Sequence, residues 1–304
     1  MCRMAEIRQW AGLGVVLSLS ACADMGFPER WELGGLRVLA LQADSSEVNP
    51  LMDGTFTITP VVSDIDGAGR ALNYTIEFCY DPAVAYGADP DCANQPVALG
   101  AVTSRTGVLG GLVAPHFTAA TTEAVAGDFT FAVPAAVLAS LDADANAVEL
   151  NNGVPYSVIF TVTDPATGES VKSFRRISAT TRSPLNANPV INGVLDVDGA
   201  SVAVVPASQD GTELQADIPV GTAESYIALY RDGSQVTQEE EIRISWFSSS
   251  GEFSSAQSLL DTLVTFTAPD PEDVTSGAAL SPFLYAIVRD DRGGVGFLAA
   301  PVGP

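Results

Sequence analysis

Between residues 72 and 80 every second side chain is large and apolar: Leu72, Tyr74, Ile76, Phe78 and Tyr80. A strand sends successive side chains to opposite faces, so this alternation marks a strand with one buried face. Other strand-like segments recur at short spacing, at 36–43, 55–62, 129–133, 156–163 and 169–178. The last two are separated by Asp164-Pro165-Ala166-Thr167-Gly168, a good hairpin loop. One short helix is expected at 134–141, with Pro134 in its first turn. A second strand series follows at 190–197, 212–218, 242–248, 263–267, 283–289 and 295–299. Thr, Ser, Val, Gly and Pro are abundant, and Lys172 is the only lysine. This is the composition of sheets joined by turns.

The two series read as copies of one design. Each has a strand with aromatic residues near its middle, Tyr74-Thr75-Ile76-Glu77-Phe78-Cys79 and Arg243-Ile244-Ser245-Trp246-Phe247. Each has a late segment that opens Pro-aromatic and closes on an Asp-led turn: Pro155-Tyr156 to Asp164, and Pro282-Phe283 to Asp290. Short strands with turns every 8–12 residues or so point to β-sandwiches. Residues 182–189 hold Pro184 and Pro189 and no apolar period. They are expected to be a reachable linker, with Arg182 as its tryptic site. The expected organisation is all-β: a first sandwich over 36–181, the linker, and a second sandwich over 190–304.

The run Ile244-Ser245-Trp246-Phe247-Ser248-Ser249-Ser250-Gly251-Glu252-Phe253 is similar to the central strand and turn of bacterial Ig-like and PKD-like domains. Tyr285-Ala286-Ile287-Val288-Arg289-Asp290-Asp291-Arg292-Gly293-Gly294 resembles their final hairpin. The likeness covers about 190–300 well and 36–181 loosely. It implies two tandem Ig-like sandwiches and names no ligand.

The N-terminus carries a different signal. Arg3 and Arg8 precede an apolar run at 11–19, which is too short for the roughly 20 residues of a spanning helix. Leu19-Ser20-Ala21-Cys22 closes the run and resembles the lipobox of bacterial lipoproteins. The resemblance implies a signal peptide over 1–21, lipid on Cys22, and a lipidated tether over 22–35. Each buried CH₂ of such a lipid contributes about 0.8 kcal/mol to anchoring. Ala23, rather than Asp, follows Cys22. In lipoproteins of diderm bacteria that favours the outer membrane.

Charge limits the partners. The chain has 37 acidic and 14 basic residues, a net charge of −23. Loss of Arg3, Arg8 and Glu6 with the signal makes the mature chain one unit more negative. Such a body is repelled by nucleic acid and by anionic headgroups, so no nucleic-acid partner is expected. Catalysis is poorly provisioned. His116 is the only histidine, and neither G-x-S-x-G nor H-E-x-x-H occurs. No enzyme activity is expected.

Of four cysteines, Cys2 leaves with the signal and Cys22 carries lipid, which leaves Cys79 and Cys92. In an exported chain these are expected to form a disulfide, closing a loop of about 14 residues worth roughly 3 kcal/mol. A metal site is the alternative, with no histidine near either thiol. The loop they close contains Tyr86 and Asp89 and Asp91, and Tyr80 flanks it. These four residues are the candidate recognition site, because long loops on rigid sandwiches often carry binding.

No cofactor is expected. Ca²⁺ is the alternative at Asp64-Ile65-Asp66-Gly67, Asp196-Val197-Asp198-Gly199 and Asp142-Ala143-Asp144-Ala145-Asn146. The plain reading is that Asp-Gly pairs make turns. The third site departs from an EF-hand loop at Ala147 and Gly153. Trp246 alternates as a core residue, and Glu239-Glu240-Glu241 reads as a solvated strand start. The expected role is a non-catalytic binding or scaffolding module on the cell surface or periplasmic face, with an envelope protein or glycan as partner. The alternative is a glycan-binding or glycan-processing accessory.

Overall fold

The computed structural model describes residues 31–52, 54–81, 91–93, 102–109, 117–118, 129–134, 151–230, 232–269 and 283–303. The protein is all-β, and its sheets pair face to face as β-sandwiches. Cys22, Tyr86, Asp89, His116, the Asp142–Asn146 run and the expected helix after Pro134 lie outside the described residues.

In the N-terminal half, one sheet contains β1 (Arg37–Ala43), β3 (Thr55–Ser63), β6 (Phe117–Thr118) and β7 (Thr130–Ala132). The facing sheet contains β2 (Glu47–Val48), β4 (Leu72–Tyr80), β5 (Thr103–Leu109), β8 (Val154–Thr163) and β9 (Ser170–Ala179), in the order β2-β9-β8-β4-β5. Leu72, Tyr74, Ile76 and Phe78 enter the core between them, as their alternation requires. Phe56 and Phe131 from the first sheet meet Phe78 from the second, at ring separations of 5.3 and 5.5 Å.

The C-terminal half repeats the plan. Its first sheet runs β11-β10-β13-β19-β17, with β10 (Gly193–Asp196), β11 (Ser201–Val202), β13 (Thr212–Asp217), β17 (Glu252–Phe253) and β19 (Val264–Thr267). Its second runs β12-β21-β20-β16-β18, with β12 (Val205–Pro206), β16 (Arg243–Ser248), β18 (Gln257–Leu259), β20 (Phe283–Arg289) and β21 (Val295–Gly303). In both second sheets a two-residue edge strand lies parallel to the last strand, and the other pairings are antiparallel. Trp246 is fully buried beside Phe253. Its Nε1 donates to Ser258 Oγ at 2.9 Å, which satisfies the one polar group of the indole.

Three features depart from the sequence reading. The first is the hairpin of β14 (Ser225–Leu229) and β15 (Gln235–Glu239), which belongs to neither sandwich. The second concerns the end of the expected tether. Leu33 N donates to Ser248 O and Ser248 N to Trp31 O, so residues 31–33 run along the C-terminal half. Trp31 packs on the second core.

The third is an apolar cluster between the two halves. Leu39, Ala40 and Val61 from β1 and β3 meet Tyr285 and Ile287 from β20, with Leu33 beside them. β20 is buried on both faces. Leu284, Ala286 and Val288 enter its own core, while Tyr285 and Ile287 enter the contact. The contact is apolar because the outward faces of these strands carry large apolar side chains.

Candidate functional site

The Cys79–Cys92 disulfide is present, with a Cα separation of 5.7 Å. Cys79 is on the outward face of β4, and the bridge packs on Ile159 of β8. Next to it, Asp81 is buried. Its Oδ2 accepts from Arg176 Nε at 2.6 Å and from Ser157 Oγ at 3.1 Å. The base of the loop is thus pinned by a covalent bond and a charge-assisted contact.

The four candidate recognition residues do not form a described surface. Tyr80 follows the β4 alternation to the core side and packs edge-on against Tyr156, with ring centroids 5.9 Å apart. It is therefore part of the core rim at the base of the loop. Asp91 is exposed, and its Oδ1 accepts from Ala93 N at 2.9 Å, a local turn contact. Tyr86 and Asp89 lie outside the described residues.

The two described Asp-Gly segments are occupied by protein groups. Arg70 grips both oxygens of Asp64 at 2.7 Å and reaches Asp164 and Glu169 at 2.7 Å each. Asp196 Oδ1 accepts from Asp198 N and Ala200 N, which makes the β10–β11 turn. Among the described residues, no group of three or more His, Cys, Asp or Glu is arranged to hold a metal ion.

The densest polar constellation lies between the halves. Arg292, on the β20–β21 turn, donates to both oxygens of Glu47, from Nη2 at 2.7 Å and from Nε at 3.2 Å. Its Nη1 reaches Glu240 at 3.1 Å and Glu224 at 3.4 Å. Arg182 adds a contact to Glu47 at 3.2 Å. The ring of Tyr226 on β14 stands beneath both guanidinium groups, 5.0 Å from Arg182 and 4.8 Å from Arg292. Asn186 ties the same place together. Its N–H donates to Glu47, and its side-chain amide donates to Ser46 and Asp290.

The β14–β15 hairpin extends this clamp onto the N-terminal half. Asn152 Nδ2 donates to Leu229 O at 2.6 Å, and Leu229 N donates to Asn152 Oδ1 at 3.0 Å. A side-chain amide here makes the two bonds a neighbouring strand would make.

Residues 182–189 are therefore anchored. Arg182 has 9 % of its side chain exposed, and Asn186 is buried. Asn188 bridges Ala43 O and Val295 N. Two prolines without an apolar period read as an open linker, but asparagine amides fasten a chain without any apolar period. The Glu239-Glu240-Glu241 run is also corrected. Glu240 is fully buried on Arg292, accepts from Glu224 N at 3.0 Å, and is pushed up to about 7 by burial. Nothing local in three glutamates marks the middle one, because its partner lies 52 residues away.

No family model matches the chain, and no curated protein matches it. Among solved structures it is similar to a transglutaminase from red sea bream, at 10% identity and a TM-score of 0.26 over 88% of this chain and 32% of that one. It is similar to an alpha-2-macroglobulin from Escherichia coli, at 11% identity and a TM-score of 0.24 over 92% and 23%. It is similar to the CupB2 chaperone of Pseudomonas aeruginosa, at 10% identity and a TM-score of 0.26 over 86% and 100%. The chain thus spans about a third of the transglutaminase and about a quarter of the macroglobulin.

Proposed function

We propose that this chain is an outer-membrane lipoprotein, held by lipid on Cys22, whose folded part is a non-catalytic binding or scaffolding module of the cell envelope. The observation that supports the reading is the contact between the two halves. An apolar cluster and the Glu47–Arg292 clamp brace them against each other, where beads on a string would swing independently. A braced body presents the surfaces of both halves in one fixed relation to each other. That suits a scaffold, which gains affinity from preorganisation. The lipid itself is supported by Leu19-Ser20-Ala21-Cys22.

Two measurements test the proposal. Labelled palmitate should enter the wild-type chain and not Cys22→Ala, and the variant should leave the membrane fraction or stay unprocessed. Crosslinking in intact envelopes should then join the wild-type protein to a defined envelope protein. A Cys22→Ala chain that fractionates and migrates like wild type removes the anchor. Capture of glycans instead of protein moves the reading to a glycan-binding accessory.

A further inference from the structure

Five described arginines, Arg70, Arg176, Arg182, Arg243 and Arg292, each hold a carboxylate. Arg175 and Arg289 do not, although the chain has 37 acidic residues to offer. Both line one cleft of about 280 Å³ where β1 and β9 meet the β20–β21 turn. We infer that this cleft is a binding site for a small oxyanion, a carboxylate or a phosphate group.

The geometry carries the inference in three steps. First, the two cations are fixed. Arg175 Nη1 donates to Leu41 O at 2.6 Å, and its Nη2 donates to Gly293 O. Arg289 Nη2 donates to Leu39 O at 3.0 Å, and its Nη1 to Ser245 Oγ at 3.2 Å. The carbonyls at Leu39 and Leu41 lie on the edge of β1, and the guanidinium groups cover that edge.

Second, neither guanidinium is in an ion pair among the described residues. Arg175 is 7 % exposed, and its Nε has no hydrogen-bond partner among the described residues. Burial of a guanidinium without a carboxylate is costly. Burial pushes the Arg175 guanidinium down to about 10; Asp290 offsets part of that cost, and the neighbouring Arg289 adds to it. Asp290 shares the cleft wall, but its carboxyl is engaged by Gly294 N at 2.6 Å and by Asn186 at 3.1 Å.

Third, there is an opening. Arg289 is only half-buried, so the cleft reaches water. An oxyanion entering there meets two oriented cations in a site where charge pairing is stronger than at the open surface. The protein's overall negative field opposes entry, but at about 0.15 M salt that field is screened within roughly 8 Å.

The test uses the full-length lipidated protein in detergent. Thermal unfolding is followed against sodium phosphate and against sodium acetate, each compared with sodium chloride at equal ionic strength and pH. The expected result is a saturable rise in Tm with at least one of the two oxyanions, and comparing them separates the phosphate and carboxylate sources. Arg289→Gln should weaken the apparent affinity at least tenfold, while Arg70→Gln, at the Asp164 turn away from the cleft, should leave it unchanged. Arg289→Lys keeps the charge and loses the planar fork, and covers the case in which Arg289→Gln does not fold. It should weaken binding severalfold. No saturable response to either oxyanion overturns the inference. So does an affinity that neither Arg289 variant changes.

Discussion

The β8–β9 corner at Asp164 and the β20–β21 corner at Asp290 occupy the same place in sheets of the same strand order. Both begin with an Asp whose backbone N–H closes the turn, on Glu169 O in one and Gly294 O in the other. Their surroundings differ. At the first corner the Thr167 hydroxyl and the Ala166 N–H hold the Asp164 carboxyl below its ordinary range, and Arg70 adds to this from a partly exposed position. At the second, burial pushes the Asp290 carboxyl up, against Asn186 and the Gly294 N–H. One turn therefore serves as an edge of its own sandwich in the first half and as part of the contact in the second. At Asp164 the turn's own residues set the electrostatics, and at Asp290 burial against the other half does.

The largest expected effect comes from removing the cation at the second corner. Arg292 has 5 % of its side chain exposed, and its partners Glu47 and Glu240 have 3 % and none. Arg292→Ala leaves these carboxylates buried without their cation, so a loss of about 3–5 kcal/mol is expected in urea unfolding. Arg70→Ala is the matching change at the first corner. Its partners Asp64 and Asp164 are also buried, at 1 % and 4 %, but Arg70 has 24 % of its side chain exposed, so water can reach the place it leaves. Its loss should be smaller and should shrink further in 1 M salt, whereas the Arg292→Ala loss should persist. Equal losses with equal salt dependence would break the comparison.

Glycines give the next contrast. A Cβ on Gly294 would overlap the Asp290 carboxylate and come within 2.7 Å of Pro189 Cδ. Gly294→Ala should therefore cost about 1–3 kcal/mol, as a substitution that strains a buried polar contact. Gly168, on the first corner, has φ +77° and nothing near its Cβ position. Gly168→Ala should cost only its backbone strain, on the order of 1 kcal/mol. Thermal unfolding of the two variants side by side measures the difference.

Much of each sandwich was legible, and little of the contact was. Leu72 to Tyr80 fixed its own core face by alternation, and Trp246 announced itself between Ile244 and Ser248. Residues 283–288 are an unbroken apolar run, which is the pattern of a strand buried on both faces. The second face needed a partner, and that partner was Leu39, Ala40 and Val61. The β14–β15 hairpin also had a signal in Asp232-Gly233-Ser234, a turn sequence that follows the apolar run 226–230. The clamp had none. Glu47, Arg182, Glu240 and Arg292 are ordinary surface residue types, and only the folded chain brings them within 3.2 Å of one another's partners. The candidate recognition loop was legible as a disulfide-closed segment, and the alternation from Leu72 to Tyr80 already put Tyr80 on the core side at its base.

The smallest effect is in pH, and its sign separates the two corners. Glu240 faces Arg292 from the β20–β21 turn, with Glu224, Asp290, Arg182, Glu47 and Tyr226 around it. Its folded value of about 7 lies above the ordinary carboxyl value. A group raised on folding stabilises most when protonated, and that stability is lost as pH rises through the folded value. Between pH 6 and 8 the unfolded chain is already ionised at this position, so the folded protein should lose about 1 kcal/mol over that interval. Asp290 is shifted in the same direction by burial, which keeps the sign. Asp164 has the opposite sign. Its stabilisation is present above the ordinary carboxyl value and is lost only as pH falls well below it. Urea midpoints should therefore rise from pH 8 to pH 6 and fall again in strong acid. Glu240→Gln should abolish the first slope and leave the acid limb in place. A slope between pH 6 and 8 that survives Glu240→Gln would assign it to another group and remove the electrostatic distinction between the corners.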